Sequence, residues 1–150
     1  MITPALMASL HHLLFFIIIA SLVAELILLA RPIDAALAKR LARIDMHYGI
    51  SAMAVLAVGF MRVFMYEKGE AFYFGNAFFH LKIGIFAVVG IASIYPTVLL
   101  IRWYRAFRSG QTPDTSRAPL LRKLVIVELA GVGLMLVCAA LMARGVGMFR

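Results

Sequence analysis

Four long apolar stretches separated by short polar ones set the pattern of this chain, at about Leu6–Ala30, Tyr48–Tyr66, Ala77–Ile101 and Leu124–Ala143. A helix of roughly 20 apolar residues crosses about 30 Å of hydrocarbon. Because lipid cannot hydrogen-bond a backbone, the helix is the single-segment way across. Each stretch is therefore predicted to be a transmembrane helix. No Lys or Arg precedes the first one, and it is longer than the apolar core of a secretory signal, so it is predicted to stay as a span. The connections are Arg31–His47, Glu67–Asn76 and Arg102–Lys123. Arg31-Pro32 ends the first helix. Lys68-Gly69 opens the second connection, and Ser109-Gly110-Gln111-Thr112-Pro113-Asp114 in the third is turn chemistry. Connections this short make sequential helices antiparallel neighbours. The predicted fold is all-α: one domain over residues 1–150, a four-transmembrane-helix antiparallel bundle.

Composition supports the same picture. The chain is 64% hydrophobic and 15% charged, with a mean hydropathy of +0.98, where a soluble domain runs nearer 45–50% apolar and about 25% charged. In water it would expose apolar patches larger than soluble monomers tolerate. The net charge of +8 and pI near 10.3 would suggest a nucleic-acid partner in a soluble protein. Here the cations fall mainly between the spans, where they set topology and meet anionic headgroups, so the expected partner is the lipid bilayer and not nucleic acid. The first and third connections hold ten Lys and Arg (Arg31, Lys39, Arg40, Arg43, Arg102, Arg105, Arg108, Arg117, Arg122, Lys123). The other side holds five (Arg62, Lys68, Lys82, Arg144, Arg150). The positive-inside rule puts the first side in the cytoplasm and both termini outside. For a bacterial chain that means a multi-pass protein of the inner membrane with periplasmic termini. The single cysteine, Cys138, excludes a disulfide framework and a multi-cysteine metal site, and reads as a small buried hydrophobe.

Charged side chains inside spans cost about 2.5–3.5 kcal/mol on insertion scales and mark function or a paired interior. In this topology His11, His12, His80, Lys82, Arg62 and Arg144 gather in the outer leaflet, contributed by all four helices. His47 lies at the cytoplasmic end of the second helix, and Glu25 and Glu128 lie in the cytoplasmic half. Imidazoles on facing helices of a bundle hold a haem b iron from both sides, and its propionates need cations, which Arg62, Lys82 and Arg144 could supply. The expected ligands are His11 or His12 with His80, and His47 for a possible second haem. Such a protein passes electrons between a quinone and another redox partner. Helical phase refines the choice. His11 and His12 are about 100° apart, and Glu25 shares a face with His11, which favours His11 as the inward one. His80 and Lys82 point to nearly opposite faces, so one of them snorkels or a homodimer uses the second face. Met53, Met61, Met65, Met135 and Met142 read as core filling. Phe72, Tyr73, Phe74, Phe78 and Phe79 read as an outer aromatic belt, with Trp103 and Tyr104 as the inner one. No hydrolase triad, phosphate loop or His-Glu-x-x-His motif appears. Gly131–Gly133 lies inside a span and follows no strand, so it is not a dinucleotide fingerprint.

His11-His12-Leu13-Leu14, Arg43-Ile44-Asp45 with Tyr48-Gly49, Gly59 with Arg62-Val63-Phe64, Glu67-Lys68-Gly69, Phe79-His80-Leu81-Lys82, Ser93-Ile94-Tyr95-Pro96-Thr97 with Arg102-Trp103, and Met142-Ala143-Arg144-Gly145 resemble a bacterial family of short four-helix membrane proteins catalogued chiefly as a domain of unknown function. The likeness covers nearly the whole chain. More distantly, the chain is similar to the four-helix haem-binding protoporphyrinogen oxidases and the copper-resistance type D membrane proteins. The first of these has a His in the first span and a Lys opening the third, which His11 or His12 and Lys82 would match. That resemblance implies a haem-biosynthetic porphyrinogen oxidase, and the second implies a copper site of His and Met. A non-catalytic assembly factor, whose polar residues only pin helices together, is the remaining alternative.

Overall fold

A computed structural model describes residues 2–66 and 69–149. Glu67 and Lys68, expected to open the second connection, lie outside the described residues, as does Arg150 of the charge count. Among the described residues all regular elements are helical: α1 Ile2–Leu28, α2 Ala35–Met61 continued by a π-helical turn Arg62–Tyr66, the short α3 Glu70–Phe74, α4 Ala77–Arg108 and α5 Ala118–Ala143. Four of these segments (α1, α2 with its π turn, α4 and α5) are long and apolar enough to cross a membrane. We call the end where α1 begins the upper end and the end holding residues 29–34 and 109–117 the lower end.

The helices are longer at the lower end than the apolar stretches suggest. The expected connection Arg31–His47 is reduced to residues 29–34, because α2 starts at Ala35. Its N-cap is Asp34, whose carboxylate accepts the Leu37 amide at 2.7 Å. The connection Arg102–Lys123 is likewise reduced to residues 109–117, with Pro119 in the first turn of α5, where a missing N–H costs nothing. Hydropathy marks where a helix lies in hydrocarbon, and these helices run on past it.

Packing follows a ring. α1 lies on α2, α2 on α4, α4 on α5, and α5 on α1, while the diagonal pairs α1/α4 and α2/α5 have no Cα–Cα approach within 8 Å. Residues projecting from diagonal helices can therefore meet only at the bundle axis. Small residues set the spacing of neighbours, as van der Waals packing requires in lipid. A Cβ built on Gly131 of α5 would stand 2.5 Å from Cγ2 of Val89 on α4. The main core is concentrated in the lower half, where Leu22, Ala38, Leu41, Leu100, Leu121 and Val125 are fully buried. Trp103 belongs to this core, not to an interfacial belt: it is 2% exposed and its Nε1 donates to the Asp114 carbonyl at 3.0 Å. A smaller cluster of Val63, Tyr73 and Phe79 caps the upper half, with Phe72 and Met142 against it.

At the upper corner the chain closes on itself. Asn76 is fully buried. Its Oδ1 caps α4 by accepting the Phe78 amide, and its Nδ2 donates to the Val146 carbonyl at 2.9 Å. The approach of this segment depends on Gly147, at φ +83°, where a Cβ would stand 2.6 Å from the Phe78 ring.

Candidate functional site

In the upper half, α1 contributes His11. Its imidazole lies against α2 because Gly59 has no side chain there: a Cβ at that position would stand 3.2 Å from His11 Cε1. The ring is half-buried. The Val55 carbonyl is a hydrogen-bonding neighbour of the ring, while Nδ1 is buried and finds no partner. A ring that donates from Nε2 keeps an unshared pair on Nδ1. Lys82 of α4 and Arg62 at the end of α2 are close enough for their charges to act on this imidazole. Lys82 is half-buried, with Arg62 and Cys138 of α5 as its charged and polarizable neighbours. The site therefore assembles one imidazole and two cations from three helices, α1 and α4 meeting across the diagonal.

The other residues expected here lie elsewhere. His12 is exposed, edge-on to His11 with centroids 6.3 Å apart. His80 is exposed, and its Nε2 donates to the Phe74 carbonyl at 2.9 Å. The rings of Phe74, Phe79 and Phe149 surround it. Lys82, two positions on, takes the inward direction, so the structure does not bring His80 to His11. His47 is exposed on α2, its ring donating to the Arg43 carbonyl at 2.6 Å. Arg144 is exposed at the C-cap of α5. Met53, Met61 and Met65 are surface residues, while Met135 is in the core. Among the described residues no three His, Cys, Asp or Glu side chains gather in a metal-ligating group.

The lower half holds a second polar site, only part of which was anticipated. Glu25 of α1, Asp45 of α2 and Glu128 of α5 are 2%, 4% and 1% exposed, and they lie close enough to feel one another's charge. Thr97 of α4 donates to Asp45 Oδ1 at 2.8 Å. The Tyr48 hydroxyl is a hydrogen-bonding neighbour of Glu128 and of Ser93. One oxygen each of Glu25 and Glu128 has no partner among the described residues. The two glutamates were visible as charges inside spans. The apolar pattern puts Asp45 in a connection and Tyr48 at the boundary of a span. The signal that could have found them was Asp34, whose capping position starts α2 nearly three turns before Asp45.

The chain belongs to the family described as "Predicted membrane protein (DUF2214)", whose model matches residues 3–147. No curated protein and no solved structure matches it.

Proposed function

Taking a four-span member of that membrane family as the premise, we propose that the upper site holds haem b, with His11 as an iron ligand, and that the protein passes electrons between a quinone and another redox partner. The observation that carries the reading is the orphaned Nδ1 of His11. It is a buried nitrogen with an unshared pair, on a ring whose other nitrogen faces a carbonyl, and that is how ligating histidines are held. Arg62 and Lys82 beside it would neutralise propionates. When bound, haem would supply one-electron chemistry. The chain's part is to orient the imidazole through Val55, leave room for it through Gly59, and supply cations from two further helices.

The pair of cations also favours a second reading, a porphyrinogen oxidase in which Lys82 and Arg62 grip substrate carboxylates. Absorption spectra of detergent-purified protein, oxidised and reduced, test the first. We expect a Soret band and a sharp reduced α-band that His11→Ala reduces at least tenfold and that His80→Ala and His47→Ala leave in place. Colourless, folded protein from haem-replete cells ends the haem reading. Rescue of a strain deficient in porphyrinogen oxidation, lost in Lys82→Ala, would favour the second.

A further inference from the structure

At the lower end, between α2 and α4, runs an open groove of about 600 Å³ that the upper site does not use. Its walls change character along their length. Toward the end of the helices stand Lys39 and Arg43, one turn apart on α2, opposite Arg105 and Arg108 on α4. Toward the membrane centre the same walls are Met46 and Gly49 on α2 and Ile101 on α4. Four cations thus meet one carboxylate, Asp45, which is 4% exposed and already accepts from Thr97. The cations lie beyond the apolar stretches Tyr48–Tyr66 and Ala77–Ile101, at the depth of headgroups, on α2 and α4 segments that run on past the hydrocarbon.

We propose that this groove binds one anionic phospholipid, its phosphate among Lys39, Arg43, Arg105 and Arg108 and an acyl chain along Met46, Gly49 and Ile101. Charge complementarity selects the headgroup, since a basic pocket between helices at the membrane surface is the usual form of such a site. The gradient from guanidinium to thioether selects a lipid over a free phosphate, because a soluble anion would use only one end of the groove. Guanidinium groups add directional, paired hydrogen bonds to phosphate oxygens that a diffuse surface charge does not provide. The site is independent of whether haem is bound.

The test is native mass spectrometry of the full chain released from vesicles of equal phosphatidylglycerol and phosphatidylethanolamine. We expect one phosphatidylglycerol retained per chain in preference to phosphatidylethanolamine. The pair Arg43→Gln and Arg105→Gln should lower that retention about tenfold or more, taking roughly 1 kcal/mol for each cation removed near a headgroup. The pair Arg122→Gln and Lys123→Gln removes the same charge from exposed positions on α5 outside the groove and should leave retention unchanged. No preference between the two lipids in the wild-type protein, a measurement that needs no variant to fold, overturns the proposal. So does equal loss in both pairs, which would mean diffuse surface charge, and so does displacement of the lipid by millimolar glycerol phosphate, which would mean a soluble-anion site.

Discussion

In the upper half of the bundle an imidazole meets Lys82 and Arg62. In the lower half three carboxyl groups meet the hydroxyls of Tyr48, Ser93 and Thr97. The chemistry of the two sets differs in kind. Lysine and arginine only donate, and among these three side chains the acceptor is the Nδ1 of His11. Carboxyl and hydroxyl groups both donate and accept as their protons allow, so the lower set is joined by its own hydrogen bonds, Thr97 to Asp45 and Tyr48 beside Glu128, with one oxygen each of Glu25 and Glu128 left over. It is also sealed by the main core, with Trp103 and the fully buried leucines around it. The upper set is capped by the small Val63, Tyr73 and Phe79 cluster, with Val58 and Cys138 buried near it. A site made mostly of donors is suited to receiving an acceptor-rich group. One whose carboxyl and hydroxyl groups bond across helices within the main core is suited to holding four helices in register.

The sharpest way to break this comparison is to damage the seal of the lower half. Trp103→Ala removes a side chain that is 2% exposed together with its hydrogen bond to the Asp114 carbonyl. It should cost about 3–5 kcal/mol, read as a large fall in thermal unfolding temperature in detergent. A loss below about 1 kcal/mol would mean that the lower core is not the stabilising half. Next comes a matched exchange. Glu128→Gln keeps shape but changes which atoms donate, and we expect about 1–3 kcal/mol of destabilisation with any visible spectrum unaltered. His11→Ala should do the reverse, and a result in which Glu128→Gln alters the spectrum while His11→Ala does not would invert the assignment of roles. The smallest effect lies outside the membrane. Asp114 accepts the Ser116 amide at 2.9 Å, and this bond, with the Ser116 hydroxyl and the charge of Arg117, holds its carboxyl below the ordinary 3.8. A lowered value in the folded chain stabilises the turn above the ordinary value, and the contribution fades as pH falls through the lowered one. The Ser116 amide resonance should therefore titrate only below about pH 3.8, and Asp114→Asn should abolish that titration.

The four spans were legible because a run of twenty apolar residues has few other readings. The ends of α2 and α4 were not, because hydropathy reports depth in lipid and says nothing of a helix that continues into headgroups. That cost Asp45, placed in a connection when it lies inside α2, and Trp103, read as belt when it is core. At the upper site, helical phase read from Glu25 pointed to His11 over His12, and the structure turns His11 inward. Phase also showed that His80 and Lys82 could not both face the axis, but not which would. The short helix Glu70–Phe74 decides it, by offering the Phe74 carbonyl to His80 on the outside. No periodicity within α4 encodes a partner that arrives from the preceding turn.

The latch at Asn76 bears on the order in which the molecule is assembled. Its two donor bonds reach Val146 and Met148, 70 and 72 residues further along the chain. During synthesis α1 and α2 can pair as soon as both are inserted, but this corner must wait until α5 has crossed. The wall of aromatic rings beside His80, which Phe149 completes, is thus among the last parts of the protein to form.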